Sequence, residues 1–533
     1  MTTAPDPDLL ARLVDDAQHV VDGAVAALRV RGGVDADQVL AYDLAHAASA
    51  VATARASLDY ARRGEDEARL SGAFVGLALA DLAQRVLGRE TRWGVSTDWF
   101  SPFSAFVDAQ RDPSILASLA ETPGPRHLGE DYEMVREVFH RFAEEQVRPH
   151  ADHVHRENAD IPESIIQGLA ELGGFGLSIP TAFGGDATGD ESEYLAMVVA
   201  TEELSWGSLG IGGSLITRPE ILTRALLTGG TEEQRARWLP RVATATVLAA
   251  IAVTEPDYGS DVAGISTSAA RTEGGWLISG TKTWCTFAAR ADVLVVLART
   301  DPDRSRAHRG LSLFLVEKER ADGHGFVLTQ SASSAGRTGP DGRLEGRPID
   351  TLGYRGMHSY ELAFDNWFVP DADLVGGEAG LGRGFYYQMA GFENGRIQTA
   401  ARAVGVMQAA YEAALAYARE RRVFGRPIIE YELTRVKLGT MAAIIQAARQ
   451  FSLAVARQMG RGEGTTEASM AKAYVCRAAE WVTREAMQIH GGMGYAEEYP
   501  VSRYFVDARV LSIFEGADET LALKVVARRL LEE

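Results

Sequence analysis

The sequence predicts a mainly α protein with a central β domain and a helical N-terminal extension. Apolar residues recur at three- and four-residue spacing over residues 1–120 and again over 128–240, which places them on one face of each helix. Near residue 247 the pattern changes to short apolar or alternating runs with turn residues between them, as is typical of strands. From about residue 383 to the end, long alanine-rich helical patterns return.

Composition narrows the class of protein. The chain has 533 residues, of which 46% are hydrophobic, enough for several domains and a large core. Its formal net charge of −19 argues against nucleic acid or an anionic membrane as a main partner. Its only cysteines, Cys285 and Cys476, imply no disulfide framework. The N-terminus has no signal-peptide pattern and no apolar run could span a bilayer, so we expect a cytoplasmic protein.

Segments rich in proline and glycine suggest the boundaries. ETPGPRH (121–127) is predicted to be a linker, and SASSAGRTGPDGRLEGRPID (331–350) a long exposed loop. The predicted domains are the extension, a helical domain, the β domain and a C-terminal helical domain: 1–122, 128–245, 246–375 and 380–533.

Two motifs in the strand-rich region carry candidate ligand contacts. In VTEPDYGSD, Thr254 and Ser260 offer hydroxyl groups beside a glycine, although a solvated turn explains the same residues. In GTKTWCTFAARAD, alternation along a strand puts Trp284 and Thr286 on one side. An aromatic ring beside a hydroxyl suits a flat ligand with polar edges, but a core tryptophan and a surface threonine remain an alternative.

Three motifs lie in the C-terminal helical region. In ARERRVFGRPI, Arg421 or Arg422 could bind a phosphate or simply end a helix in solvent. In QIHGGMGY, the paired glycines either cap a helix or let its backbone approach a ligand, and His490 is more typical of a structural residue. IFEGADETL places Glu515 between Phe514 and a glycine, where it is either a base or a surface charge.

Taken in order, these five motifs resemble the acyl-CoA dehydrogenase family, and the resemblance covers residues 128–533. It implies an acyl-CoA dehydrogenase-like fold: a helical domain, a β domain and a C-terminal four-helix bundle. It also implies FAD as the cofactor and oxidation of the Cα–Cβ bond of an acyl-CoA substrate. No metal site is expected.

The resemblance implies a role for each residue that matches a family motif. Val253 and Thr254 would contact the flavin edge, and Ser260 the pyrophosphate or the substrate. Trp284 and Thr286 would lie against the isoalloxazine ring.

Further matches imply that cofactor sites are shared between subunits. Arg421 and Phe424 would reach the FAD of a neighbouring subunit, and Gln488 and Gly492 would hold its adenine half. The resemblance therefore implies a homodimer or homotetramer.

Glu515 matches the catalytic base of the family, which removes the α-proton while the β-hydrogen leaves as hydride to flavin N5. Arg396 and Gly516 match its neighbours at the substrate, although Arg396 could instead be a surface charge. Three positions depart from the family pattern, so some of its flavin hydrogen bonds are not carried over: Val423, Ala517 and Glu519.

The extension and the long loop distinguish this chain from most of the family. With several local runs, they resemble a branch that acts on a short branched acyl-CoA bearing a distal carboxylate and passes electrons to electron-transfer flavoprotein. Other hypotheses stay open: another short or branched acyl-CoA, an oxidase that uses oxygen, or a non-catalytic scaffold. We expect the extension to be a packing or dimer-covering domain without a chemical role.

Overall fold

The structure, a computed structural model, describes residues 4–321, 324–334 and 337–532. It confirms the predicted fold class, with helices on both sides of a strand-rich segment. The helices before the strands are α1 Pro7–Val30, α2 Gln38–Ala56, α3 Leu58–Ala61, α4 Glu65–Val86, α5 Glu90–Trp93, α6 Ser101–Gln110, α7 Pro113–Ser118, α8 Glu130–Phe142, α9 Arg148–Glu157, α10 Glu163–Glu171, α11 Glu191–Gly207, α12 Thr217–Gly229 and α13 Glu232–Ala243. Those after them are α14 Gly384–Glu420, α15 Glu432–Gly460, α16 Thr465–His490, α17 Pro500–Val510, α18 Asp518–Thr520 and α19 Ala527–Glu532.

Local chemistry sets where several helices begin. The Asp6 side chain accepts a hydrogen bond from the backbone of Asp8, and Pro7 occupies the first position of α1, where no backbone donor is needed. At the start of α13, Thr231 and Gln234 form a reciprocal capping box.

One large sheet forms the central β domain. Its strands are β1 Ala249–Ala252, β2 Ser268–Thr272, β3 Gly275–Thr286, β4 Val293–Arg299, β5 Leu311–Glu317, β6 Phe326–Gln330, β7 Gly342–Ile349 and β8 Ser359–Pro370. The strand order is β1-β4-β2-β3-β8-β7-β6, and β5 pairs with β4. Both faces of β4 are buried, because Leu294 and Val296 join one apolar cluster while Val293 and Val295 join another. A small hairpin, β9 Arg422–Val423 and β10 Arg426–Pro427, follows α14.

The prediction of one long loop over 331–350 was wrong for its second part. Residues Gly342–Ile349 form β7, which pairs antiparallel with β8. Leu344 is buried, whereas Arg343 and Glu345 face outward and form an ion pair at 2.8 Å. The charged side chains on the outward face make the sequence of this segment polar, although Leu344 on its other face is buried in the protein core.

The chain divides into two compact units. The first combines the chain up to His140 with Arg396 onward, and the second spans Arg141–Gly395. In the first unit, α2 and α4 of the extension pack against α15, and α2 also packs against α16. The Tyr411 hydroxyl donates to the carbonyl of Ala120 at 2.9 Å. The extension thus packs with the C-terminal helices in one unit. The boundaries of the four domains expected from the sequence stay a prediction.

None of the helices among the described residues combines the length and apolarity that crossing a membrane requires.

Candidate active site

In the second unit, the two segments predicted to contact the flavin are tied to each other. The backbone N–H of Thr283 donates to the carbonyl of Thr254 at 2.8 Å. The ammonium of Lys282, which is fully buried, donates to the carbonyl of Val253 at 3.0 Å and pairs with Glu255 at 2.8 Å. A buried lysine therefore fixes the end of β1 against the middle of β3.

Glu255 is held in its ionised form. Burial opposes the charge, but Lys282 and donors from Ser266 and Thr267 outweigh it and lower the pKa of Glu255 to about 2. The carboxylate accepts backbone N–H bonds from Ser266 at 2.7 Å and Thr267 at 2.9 Å. This pair is a structural support for the two segments predicted to contact the flavin, since both charges lie inside the fold.

The side chain of Trp284 is exposed at an irregular point of β3. The pairing of β3 with β8 shifts register between Lys282 and Cys285, and bulges of this kind redirect side chains. Trp284 has φ 57° and is 57% exposed, while Cys285 beside it is fully buried. Thr286, two residues later, lies 3.1 Å from the Ser359 hydroxyl, oxygen to oxygen. An exposed ring on strained backbone, next to a hydroxyl, fits the flat isoalloxazine ring. Ser260 is exposed in the turn after β1.

In the first unit, Glu515 combines strained backbone with a buried side chain. Its φ is 55° and its side chain is only 9% exposed. One carboxylate oxygen lies 3.9 Å from the Arg402 guanidinium, and the other is buried with no hydrogen-bond partner among the described residues. Buried carboxylate oxygens rarely lack a partner, so this oxygen is available to a bound ligand, as the predicted role of Glu515 requires.

Cations hold the segment around Glu515. Arg402 is fully buried, donates to the Thr399 hydroxyl at 2.6 Å and lies over the Phe514 ring. Lys472, also buried, donates to the carbonyl of Gly516 at 2.7 Å, and burial lowers the pKa of Lys472.

Arg396 is half-buried and donates to the Ser469 hydroxyl at 3.2 Å. It lies close enough to Lys472 to favour loss of the Lys472 proton, whereas Glu515 opposes that loss. Arg396 and Glu515 thus both act on Lys472, which holds the carbonyl of Gly516, while the roles of these residues at the substrate stay a prediction.

The residues predicted to reach a neighbouring subunit lie on exposed backbone. Phe424, at the tip of the β9–β10 hairpin, has φ 48° and is 95% exposed. The exposed Arg421 side chain makes no hydrogen bond or ion pair with the residues that the structure describes. Gln488 and Gly492 are exposed, and a Cβ added at Gly492 would meet nothing within 4 Å. This open backbone and free guanidinium suit the phosphate and adenine parts of FAD.

Several side chains that support the candidate site were not predicted from the sequence. Arg402 and Lys472 lie in largely apolar runs, and a lone cation in such a run is a usable signal for a buried partner. Lys282 stands between two threonines and carries no such signal. Asp518, three residues after Glu515, was missed because it looks like an ordinary helix start.

Comparison with known proteins identifies the family of the chain. Family models for the N-terminal, middle and C-terminal domains of acyl-CoA dehydrogenases match residues 129–246, 250–367 and 382–531. The chain belongs to the acyl-CoA dehydrogenase family. It is therefore an oxidoreductase that dehydrogenates an acyl-CoA, and members of this family depend on FAD.

Individual relatives extend the comparison. The (2S)-methylsuccinyl-CoA dehydrogenase of Cereibacter sphaeroides is 44% identical, over 77% of this chain and 71% of that protein. Butyryl-CoA dehydrogenase from Megasphaera elsdenii has a similar structure, with TM-score 0.67, 29% identity and coverage of 76% and 100% of the two chains. A structure described as the electron transferring flavoprotein of Acidaminococcus fermentans gives TM-score 0.67, 29% identity and coverage of 77% and 100%.

Proposed function

We propose that this acyl-CoA dehydrogenase converts (2S)-methylsuccinyl-CoA to mesaconyl-CoA, with Glu515 as the base that removes the α-proton. The observation that carries the proposal is the Glu515 side chain, which is 9% exposed and has one oxygen without a hydrogen-bond partner among the described residues. The choice of substrate is supported by the 44% identical relative that bears this activity in its name.

The chain's own residues would prepare the proton transfer. The α-proton of a thioester is weakly acidic, so the base must be a carboxylate freed from competing donors. Arg402 lies 3.9 Å from the other oxygen of Glu515, beyond hydrogen-bond length, and so attracts the carboxylate without donating a hydrogen bond to it. Lys472 holds the next peptide through the carbonyl of Gly516. Bound FAD would supply the hydride acceptor, held by Val253, Thr254, Ser260, Trp284 and Thr286.

Two further parts of the proposal concern partners. The exposed Phe424 and Arg421 support a homodimer or homotetramer in which each subunit reaches the FAD of another. Electron-transfer flavoprotein is the proposed electron acceptor, and the similarity to the Acidaminococcus fermentans structure described with that name supports this choice.

Anaerobic stopped-flow absorbance tests the proposal. We expect (2S)-methylsuccinyl-CoA to bleach the oxidised flavin band quickly, and butyryl-CoA and isovaleryl-CoA to do so slowly. Faster bleaching by a monocarboxylic acyl-CoA would still support an acyl-CoA dehydrogenase but would exclude (2S)-methylsuccinyl-CoA as its substrate. Rapid reoxidation in air with peroxide formation would indicate the oxidase alternative.

A pair of matched variants tests the base. Glu515→Gln should retain FAD and lose at least ~100-fold in the rate of flavin reduction, because the amide cannot accept the proton. Glu463→Gln makes the same chemical change at an exposed position in the turn between α15 and α16 and should reduce flavin at the wild-type rate. Near-normal reduction by Glu515→Gln would place the base elsewhere.

A further inference from the structure

The loop that carries Glu515 is bonded to the N-terminal extension. Asp518 follows Glu515 by three residues, and its Oδ2 accepts a hydrogen bond from the hydroxyl of Tyr42, on α2, at 2.7 Å. The same oxygen lies 3.2 Å from Nε2 of His46, one helical turn after Tyr42. Two aromatic side chains of one helix therefore converge on a single carboxylate oxygen beside the proposed base.

This contact is built into the fold and is not a surface encounter. His46 is 4% exposed, the Asp518 side chain is 13% exposed, and the rings of Tyr42 and His46 meet edge to face at 4.5 Å. Arg477, on α16, donates to the Tyr42 hydroxyl at 3.3 Å and lies 3.9 Å from Asp518. Contacts inside a protein are stronger than the same contacts in water, so this cluster can hold a loop in place.

The protonation states suit the arrangement. Burial lowers the pKa of His46, so its imidazole is neutral near pH 7. Burial opposes the charge on Asp518, but contacts with His46, Tyr42 and Arg477 outweigh it and hold the pKa of Asp518 below its ordinary value. Asp518 is thus an ionised acceptor and Tyr42 its donor.

Hydrogen bonds within the loop connect this cluster with the proposed base. The N–H of Asp518 donates to the carbonyl of Ser512 at 3.1 Å, which closes residues 512–518 into a compact turn. Inside that turn, Glu515 and Gly516 have φ values of 55° and 100°, and Lys472 holds the carbonyl of Gly516. Left-handed backbone at a residue with a side chain costs free energy, so the turn needs restraint from outside.

We propose that α2 of the extension positions the catalytic loop, through the hydrogen bond from Tyr42 to Asp518 with His46 as its support. This inference rests on the proposed function, because it assigns Tyr42 and Asp518 as positioning residues for Glu515. It replaces the expectation that the extension has no chemical role. A displacement of the base by about 1 Å can slow a reaction by ~100-fold.

Tyr42→Phe in the full-length holoenzyme is the test, since it removes the donor and keeps the ring packing. We expect a 10- to 100-fold lower rate of flavin reduction by (2S)-methylsuccinyl-CoA. The FAD content and KM should be unchanged, and an α-deuterated substrate should give a larger isotope effect because proton transfer becomes slower. Asp518→Asn should likewise lower the rate of flavin reduction and leave KM unchanged.

The matched control is Asp35→Asn. Asp35 also joins the extension to the C-terminal segment, through Lys524 at 2.8 Å and Arg528 at 3.3 Å, but it does not contact the loop. This variant should reduce flavin at the wild-type rate, so a generally loosened extension would be recognised by a loss in both variants.

Hydrogen–deuterium exchange gives a readout that needs no substrate. Tyr42→Phe should speed exchange in the peptide covering residues 512–520, and Asp35→Asn should not. Wild-type exchange there, or wild-type flavin reduction by Tyr42→Phe, would overturn the positioning role. Failure of the proposed function gives a different result, because Glu515→Gln would then still reduce flavin.

Discussion

Substituting Lys282 by methionine should destabilise the second unit and weaken its hold on FAD. The variant removes the ammonium and leaves Glu255, which is 3% exposed, as a buried charge without its counterion. Removing one partner of a buried ion pair costs about 3–5 kcal/mol. We place the cost near the lower limit, at about 3 kcal/mol, because Glu255 keeps its bonds from Ser266 and Thr267.

The assay is thermal release of flavin, followed by its fluorescence. For a unit of this size, a loss of 3 kcal/mol corresponds to a melting temperature lower by roughly 6–12 °C. Release should also begin before global unfolding, because Lys282 secures the carbonyl of Val253 at the predicted flavin edge.

Lys318→Met is the matched control. Lys318 is also buried, but its ammonium donates only to the carbonyls of Ala289 and Glu319 and forms no ion pair among the described residues. Losing the hydrogen bonds of Lys318 should lower the free energy of unfolding by about 1–2 kcal/mol. Equal effects of the two substitutions, or a wild-type melting temperature for Lys282→Met, would refute the role given to the ion pair.

The pH dependence of Lys282→Met has a defined sign. The folded pKa of Glu255 is about 2, below the ordinary 4.5, so its stabilisation is present above pH 4.5 and is lost as the pH falls towards 2. The variant lacks this contribution. The gap in melting temperature between wild type and variant should therefore stay constant from pH 7 to about 4.5 and narrow as the pH falls from 4.5 towards 2.

Two further variants test the other unit. Arg421→Ala should weaken FAD binding about tenfold, because it removes a charge-assisted contact. The guanidinium of Arg422 donates instead to the carbonyl of Gly425, so Arg422→Ala should bind FAD as the wild type does. Equal FAD dissociation constants for the two variants would refute the role of Arg421. Lys472→Met frees the carbonyl of Gly516 and should slow flavin reduction by ~10- to 100-fold with FAD still bound, and a normal stopped-flow rate would show that this bond does not set the position of Glu515.

Local features of the fold could be read from the sequence because they depend on neighbouring residues. Helical spacing predicted the helices of the extension. The strand alternation is interrupted at Trp284, where φ is 57°, so the placement of Trp284 and Thr286 on one side of β3 stays a prediction. The alternation failed as a guide for β7, where charges on the outward face hid the buried side. The role of Glu515 came from motif order and stays a prediction.

The contacts that hold the site could not be predicted in this way. Tyr42 and Asp518 are 476 positions apart, and nothing near Tyr42 in sequence indicates which carboxylate it will meet. The bulge before Trp284 depends on how β3 pairs with β8, a long-range property. Lys282 stands between two threonines, so neither its burial nor its partners after β1 can be read from its neighbours in sequence.

The division of the chain into units has a consequence for biosynthesis. The helices made first complete their unit only after Arg396 and the following residues have been made, since the intervening 141–395 belongs to the other unit. During translation the exposed apolar faces of α2 and α4 must therefore wait for α15 and α16, while the middle of the chain can fold ahead of them. Shortening the gene to the span matched by the family models would remove the surface on which α15 and α16 fold, so a trimmed protein should aggregate instead of yielding a minimal enzyme.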